Sequence, residues 1–254
     1  MNKNNEKSKS KKIKILRRIL ISILLIIAVL TTTFYVYTSD YYKAYDVAYA
    51  AEESDDNVDV YTIDGSTYVF SPNGEIKAGI IFYPGGKVEN TAYAPLLHEL
   101  AKNGILCILV KMPRNLAILD INAANGLQDY FPDINEWYMC GHSLGGACAA
   151  MYIKKNSSQY SGLILLASYS TKDISNTDLD VLCIYGSNDG VMKKDSYEEC
   201  RKNLPSDYSE VIIDGGCHAF FGCYGLQDGD GTATISNEEQ INLTVEAIVD
   251  FVSE

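Results

Sequence analysis

Short, uninterrupted hydrophobic segments recur along most of the chain, separated by polar stretches rich in glycine, asparagine and aspartate. Strands that are apolar at consecutive positions are buried on both faces, as in a parallel sheet covered by helices. Two further segments, 58–63 and 67–70, flank Asp64-Gly65, a pair that suits the tight turn of a β-hairpin. The pattern predicts eight strands, the hairpin pair being followed by 78–83, 105–110, 137–140, 163–167, 181–185 and 211–213.

Helical segments fit into most of the gaps between these strands. They cover residues 91–102, 116–125, 146–155, 192–203 and 238–252. Alternation of this kind predicts an α/β fold, a three-layer sandwich around an eight-stranded, mostly parallel sheet that begins with the antiparallel pair. The connection over 168–180 leaves no room for a helical cap. The loop over 215–237 is long, and long loops in compact domains are usually functional.

The N-terminal part of the chain has a different pattern. Residues 19–37 contain no charge and are long enough to cross a bilayer as a helix, with Phe34, Tyr35 and Tyr37 where an interfacial aromatic belt would lie. Residues 1–18 carry eight basic side chains and one acidic side chain. This asymmetry predicts a transmembrane anchor with a cytoplasmic N-terminus, so the rest of the chain is expected outside the cytoplasm, at the cell membrane.

A cleaved signal peptide is the alternative to an anchor. Ala48-Tyr49-Ala50 imitates a cleavage site, but it lies far downstream of the apolar stretch, which ends near Leu30. The anchor is therefore preferred. Residues 38–57 are polar and lack apolar periodicity, which predicts a linker before a domain over 58–254.

The charge balance excludes some partners. The chain has 21 basic and 33 acidic residues, and without the basic tail 13 and 32 remain, a net charge of −19. Nucleic acid would be repelled by such a domain, so none is expected as a partner.

Of the seven cysteines, Cys107, Cys140 and Cys183 fall in apolar strands and Cys148 on the helix after Ser143, where a thiol packs as a small hydrophobic group. Cys217 and Cys223 flank the predicted histidine loop and are candidates for a disulfide outside the cytoplasm, with Cys200 as another candidate partner. No CxxC pair or His/Cys cluster is present, so no metal is expected.

A nucleophile motif lies between a predicted strand and a predicted helix. The segment Gly141-His142-Ser143-Leu144-Gly145 has the G-x-S-x-G pattern in the context that gives it meaning, a strand that turns sharply into a helix. The turn strains the serine backbone, and a side chain at either glycine would collide with it. This geometry lifts the Ser143 hydroxyl above the sheet, next to a helix N-terminus that favours anions.

A serine nucleophile needs a base, and the chain has three histidines. His98 lies inside a predicted helix, and His142 sits beside Ser143 in a tight turn, from which it cannot easily fold back. His218 follows the last strand in the long loop, where it can reach the edge of the sheet that carries Ser143. It is therefore predicted to be the base.

The base in turn needs a carboxylate, which is expected one strand earlier. Asp189 lies just beyond the strand over 181–185, at its carboxyl end, whereas Asp180 lies at the opposite end. Asp214 is the fallback because it is close to His218 in sequence. The predicted triad is Ser143, Asp189 and His218, in the chain order expected when successive strand ends carry the three groups.

Two backbone N–H groups are expected to stabilise a negatively charged oxygen. One is that of Leu144, at the start of the helix, and the other comes from the Pro84-Gly85-Gly86 turn after the third strand. Gly86 is preferred, with Lys87 as the alternative.

The domain resembles the α/β-hydrolase superfamily, in the compact, capless branch similar to dienelactone-hydrolase-like enzymes. GHSLG around Ser143, GSNDGV around Asp189 and GGCHAFFG around His218 carry the resemblance. It implies a serine hydrolase fold and triad but no particular substrate, because the founding enzymes of that branch use a cysteine nucleophile.

The predicted reaction is cleavage of a small-molecule ester, or a related acyl bond, through an acyl-enzyme and without a cofactor. Tyr83, Lys87 and Phe220 are the candidate substrate-binding residues, and Lys87 together with Lys111 and Arg114 suggests an anionic substrate. An acyltransferase with the same triad and a non-catalytic binding module are the alternatives.

Overall fold

The computed structural model describes residues 3–253 and divides the chain into two compact units, Met1–Asp40 and Tyr41–Glu254. The first unit is a single helix, α1 (Lys3–Ser39). Its part Ile13–Ser39 has a mean hydropathy of 2.6, which makes it the one helix in the described part of the chain that is long and apolar enough to cross a membrane. A signal sequence near an N-terminus would have the same properties.

The second unit contains one eight-stranded sheet, which confirms the predicted fold. The strands are β1 (Val58–Thr62), β2 (Tyr68–Pro72), β3 (Ala78–Tyr83), β4 (Ile105–Leu109), β5 (Trp137–His142), β6 (Gly162–Leu166), β7 (Asp180–Gly186) and β8 (Ser209–Ile213). Their order in the sheet is β1-β2-β4-β3-β5-β6-β7-β8; β2 pairs antiparallel with β1 and with β4, and the other neighbouring strands pair in parallel. The remaining helices are α2 (Asp46–Ala50), α3 (Ala94–Lys102), α4 (Leu144–Asn156), α5 (Lys194–Cys200) and α6 (Asn237–Ser253).

The hydrophobic core lies in two layers, one on each face of the sheet. In β3, Ile80 and Phe82 belong to the layer that includes residues of α3 and α6, and Ile81 and Tyr83 to the layer that includes residues of α4 and α5. All six residues of β3 are buried, as expected for a central parallel strand covered on both sides. The uninterrupted hydrophobic pattern of this strand follows from that double burial.

The predicted helix over 116–125 is wrong. Among the described residues, the long connection between β4 and β5 has only short 3-10 turns, at Pro113–Asn115, Ala117–Leu119 and Gln128–Tyr130. The Tyr83 hydroxyl donates to the carbonyl of Ile121 at 2.8 Å and accepts from the N–H of Ala124 at 2.9 Å. Because a helix would use these backbone groups internally, the buried tyrosine selects the irregular path.

Residues 41–57 form part of the domain, whereas the sequence predicts a linker over 38–57. Ala48 of α2 is fully buried. The N–H groups of Tyr42 and Tyr45 donate to the carbonyls of Lys87 and Cys223 at 2.8 and 2.9 Å. These contacts are made mostly through the backbone, so they leave no apolar periodicity in the sequence.

Candidate active site

Ser143 lies at the sharp turn between β5 and α4, with φ of 52° and ψ of −121°. This backbone conformation is strained for a residue with a side chain. Its N–H donates to the carbonyl of Leu166 in the neighbouring strand at 2.9 Å, which holds the turn against the sheet. The structure therefore places Ser143 as the G-x-S-x-G motif predicts.

The two glycines of the motif allow the turn to form. A Cβ atom at Gly141 would lie 2.6 Å from the carbonyl carbon of Gly145, and one at Gly145 would overlap the carbonyl oxygens of Tyr83 and Pro84. Gly145 thus allows the first turn of α4 to pack directly on the loop after β3. This close approach brings the nucleophile turn and the predicted oxyanion loop together.

Asp189 and His218 form a buried hydrogen-bonded pair. The distance from Nδ1 of His218 to Oδ2 of Asp189 is 2.8 Å, and their side chains are 1% and 0% exposed. The other carboxylate oxygen, Oδ1, accepts from the N–H groups of Val191 and Met192, each at 2.8 Å. The carboxylate is thereby fixed in an orientation that keeps the proton of His218 on Nδ1.

Nε2 of His218 is buried and has no hydrogen-bond partner among the described residues. Leaving such a nitrogen unpaired is costly, and this atom is the one that a serine base would use. Ser143 and His218 line the same cavity, of about 250 Å³. Catalytic hydrogen bonds are often formed only once substrate is bound, so this arrangement is compatible with proton transfer between the two residues.

The other candidate acids and bases lie elsewhere. Asp214 accepts a hydrogen bond from the Ser187 hydroxyl at 3.2 Å, and in the described chain it has no hydrogen bond or ion pair with His218. His98 is almost buried on α3, with Nε2 3.7 Å from the carboxylate of Asp55. Of the three carboxylates considered as the acid, the structure brings only Asp189 to the imidazole ring of His218.

The loop after β3 leaves one N–H available near the nucleophile turn. The N–H of Gly85 donates to the Tyr93 hydroxyl at 3.0 Å, and that of Lys87 donates to the carbonyl of Asn115 at 2.7 Å. Within the described part of the chain the N–H of Gly86 has no partner, and a Cβ on this residue would lie 2.9 Å from Cδ2 of Leu144. Gly86 therefore remains the better candidate than Lys87 for the second oxyanion donor.

The backbone that carries His218 is held by a buried amide, which the sequence analysis missed. Gln240 of α6 is fully buried, accepts from the N–H of Cys217 at 2.9 Å and donates to the Cys217 carbonyl at 2.8 Å. In the sequence, the available signal for this role was a glutamine on the apolar face of a predicted helix. Its role depends on a contact between residues 23 positions apart, which the sequence pattern does not show.

His142 connects the histidine loop to the oxyanion loop. Its Nε2 lies 3.0 Å from the carbonyl oxygen of His218, and its Nδ1 lies 2.8 Å from the hydroxyl of Tyr93, which itself accepts from Gly85. Since the carbonyl can only accept, we place the His142 proton on Nε2 and the Tyr93 proton toward Nδ1. The sequence pattern sets His142 aside as the base and predicts no role for it, and in the structure both of its ring nitrogens have these other partners.

Burial, with a smaller contribution from nearby His218, lowers the pKa of His142 well below its ordinary value of 6.5. Below about pH 6.5 the unfolded chain therefore binds one proton more than the folded protein at this residue. We expect the free energy of unfolding to fall by about 1.4 kcal/mol per pH unit from this residue alone, as pH decreases toward the lowered pKa.

The comparison of wild type with His142→Gln isolates this effect, because His98 and the carboxylates titrate in both proteins. Urea denaturation of both proteins between about pH 5 and 7 measures the two slopes. Slopes that run parallel over this range would contradict a neutral, buried His142.

The predicted substrate-binding residues do not line the cavity that contains Ser143. Tyr83 is fully buried in the core, so it is not available to substrate. Phe220 lines a separate cavity of about 330 Å³, and Lys87, Lys111 and Arg114 are absent from the lining of the Ser143 cavity. The residues that line it together with Ser143 and His218 are Leu144, Ala147, Ala167, Ser168, Tyr169, Thr171, Val191, Met192 and Lys193.

Comparison with known proteins agrees with this fold. The model of a family described as "Alpha/beta hydrolase family" matches residues 79–242. Est1E from Butyrivibrio proteoclasticus is similar in structure with a TM-score of 0.56 and 14% identity, over 78% of this chain and 100% of that one. A predicted CIB-like hydrolase from Thermoplasma acidophilum has a TM-score of 0.52 and 16% identity, over 76% and 97%.

Identities this low show a shared fold alone, and no curated protein matches the chain. The family model, in contrast, covers the larger part of the chain, from β3 into α6. It includes the nucleophile turn, the Asp189 turn and the histidine loop. The chain therefore belongs to the alpha/beta hydrolase family.

Proposed function

We propose that this protein is a serine hydrolase that cleaves a carboxylic ester through an acyl-enzyme. The observation that carries the proposal is the buried Asp189–His218 pair at a cavity that Ser143 also lines. Buried acid–base pairs beside a strained serine are the arrangement that makes a hydroxyl nucleophilic. Membership of the alpha/beta hydrolase family supports the same reaction class.

In the proposed reaction, Nε2 of His218 takes the proton of the Ser143 hydroxyl as Oγ attacks the ester carbonyl carbon. The carbonyl oxygen becomes negatively charged and is bound by the N–H groups of Leu144 and Gly86. The imidazolium then protonates the departing alcohol. A water molecule, deprotonated by the same nitrogen, attacks the acyl-enzyme, releases the carboxylic acid and restores Ser143.

The cavity supports a short acyl group. Its volume of about 250 Å³ lies at or below the usual range for small-molecule sites, and much of its wall is apolar, from Ala147, Ala167, Val191 and Met192. An ester is favoured over an amide because an alcohol leaves more easily than an amine. Among the described residues, Lys193 is the one lysine or arginine in the lining of this cavity.

We further propose that α1 anchors the enzyme in the cell membrane with the domain outside the cytoplasm. The uncharged stretch over 19–37 and the basic residues before it support this orientation. Insertion of a reporter at residue 1 or residue 254, with protease protection of the intact cells as the readout, distinguishes this orientation from its reverse.

Covalent labelling tests the hydrolase proposal directly. We expect a fluorophosphonate probe to modify the folded full-length protein at one site, which peptide mass spectrometry maps to Ser143. Heat-denatured protein should not be labelled, because the reactivity depends on His218. A matched Ser157→Ala variant, changed at the opposite end of α4, should be labelled like wild type. Lack of labelling in folded protein that binds small esters would support a binding module instead.

A further inference from the structure

A second aspartate, Asp230, lies in the long loop before α6 and contacts the backbone beside the Asp189–His218 pair. Its Oδ1 accepts from the N–H groups of Gly190, His218 and Gly231, at 3.1, 3.1 and 2.8 Å. Its Oδ2 accepts from the N–H of Ala219 at 2.8 Å. One carboxylate therefore binds the backbone of the histidine itself and the backbone of the residue after Asp189.

The segment around Asp230 also packs closely on the turn that carries Asp189. A Cβ at Gly190 would lie 2.7 Å from the carbonyl oxygen of Gly229, and a Cβ at Gly231 would overlap the carbonyl oxygen of Asn188. The side-chain amide of Asn188 donates to the carbonyl of Thr232 at 3.0 Å. The two turns are thus in backbone contact, which the absence of a side chain at Gly190 and Gly231 permits.

The Asp228-Gly229-Asp230-Gly231-Thr232 segment is rich in aspartate and glycine, as cation-binding loops are, but these contacts give it a structural role instead. Four N–H donors occupy the lone pairs that Asp230 would offer to a metal. Burial raises the pKa of this carboxyl group, but the donors, led by Ala219, outweigh burial and lower it overall. Asp230 is therefore a charged acceptor at neutral pH.

We propose that Asp230 is a positioning residue, which holds the His218 backbone and the Asp189 turn in the register that hydrolysis requires. The inference depends on the proposed function, because it concerns the placement of the base. Between residues 215 and 236 the structure has only one short 3-10 turn, Ala219–Phe221, so regular secondary structure does not hold His218. The contacts of Asp230 and Gln240 hold it instead.

The functional consequence follows from the two nitrogens of His218. Nδ1 must remain at Asp189 while Nε2 reaches the Ser143 hydroxyl, so both turns must keep their separation. A displacement of about 1 Å at a catalytic group can cost up to roughly 100-fold in rate. Loss of the Asp230 hydrogen bonds should therefore reduce the rate of the chemical step more than it weakens the binding of a small ester.

The test is Asp230→Asn in the full-length protein, with Asp228→Asn as the matched control, since Asp228 is exposed and its side chain has no hydrogen bond in the described chain. An amide keeps one acceptor oxygen but turns an NH₂ group toward backbone N–H groups. With p-nitrophenyl acetate as substrate, we expect kcat to fall about 10- to 100-fold with little change in KM, whereas Asp228→Asn behaves like wild type.

A second readout does not depend on turnover. The Nδ1 proton shared by His218 and Asp189 should give a downfield proton resonance, which we expect to be lost or broadened in Asp230→Asn and retained in Asp228→Asn. A kcat within twofold of the control, or an unchanged downfield resonance, overturns the proposal. If Asp230→Asn does not fold, Gly231→Ala takes its place. The added Cβ would collide with the carbonyl oxygen of Asn188 and displace the segment that carries Asp230.

Failure of the proposed hydrolase function can be distinguished from failure of the positioning role of Asp230. If Ser143→Ala were as active as wild type, the hydrolase mechanism would be wrong while the resonance would still report on Asp230. If activity depends on Ser143 but tolerates Asp230→Asn, only the positioning role is overturned.

Discussion

Replacing Ser143 with alanine is expected to lower kcat by roughly 10⁴- to 10⁶-fold and to leave the fold intact. The side chain of Ser143 caps no helix in the structure, and its backbone contact to Leu166 does not involve the hydroxyl. The substitution therefore removes the nucleophile and little else. The N–H groups of Leu144 and Gly86 would remain, and they account for any residual rate.

Hydrolysis of a short-chain ester by purified Ser143→Ala, with Ser157→Ala in parallel, measures this effect. Circular dichroism and the thermal unfolding temperature establish that both variants are folded. If Ser143→Ala kept more than a tenth of the wild-type rate, another group would have to be the nucleophile. The acyl-enzyme mechanism would then be wrong, although the fold would stand.

The second large effect is expected for Asp189→Asn, with a fall in kcat of about 10⁴-fold. The N–H groups of Val191 and Met192 both donate to Oδ1, so the amide oxygen of an asparagine would take that place. The NH₂ group would then face Nδ1 of His218. Because an NH₂ group cannot accept, the imidazole proton would move to Nε2, where it blocks transfer from Ser143.

This effect should appear in kcat, since Asp189 is not among the residues that line the Ser143 cavity. Asp180→Asn is the matched control, because it changes the same residue type at the opposite, exposed end of β7. Equal activity of the two variants would mean that the Asp189–His218 contact does not set the tautomer of the base. In that case Asp214 would have to be tested as the acid.

Hydrogen bonds also connect the histidine loop, the nucleophile turn and the oxyanion loop. His142 joins the histidine loop to Tyr93, and Tyr93 joins Gly85 of the oxyanion loop. The middle residue of the nucleophile motif therefore connects the base to the loop that would bind the charged oxygen. Since burial lowers its pKa well below 6.5, we expect this connection to persist in mildly acidic solution.

Local patterns were sufficient for the sheet. All eight strands lie where continuous apolar segments or the hairpin pattern predict them, within a few residues. The central strands β3, β4, β5 and β6 are buried at every position, which requires continuous apolar segments. The nucleophile turn was equally predictable, because the steric limit at Gly141 is set by Gly145 and Gly146, a few residues further along the chain.

Polar contacts between distant residues were not predictable in the same way. The helix expected over 116–125 is absent because the hydroxyl of Tyr83 binds its backbone. The same hydroxyl explains why Tyr83 lies in the core instead of the substrate cavity. Residues 41–57 join the domain partly through backbone hydrogen bonds, such as those of Tyr42 and Tyr45, which leave no pattern in the sequence.

The amino-acid sequence by itself determined the fold class, the apolar N-terminal helix and the position of the nucleophile turn, because hydrophobic periodicity and steric limits on a turn act over neighbouring residues. Only the tertiary structure decided which carboxylate meets His218, which loop N–H stays available and how Asp230, Gln240 and His142 hold the histidine loop. These choices depend on hydrogen bonds a few ångströms long between residues far apart in the chain, and their energy leaves no periodic trace in the sequence.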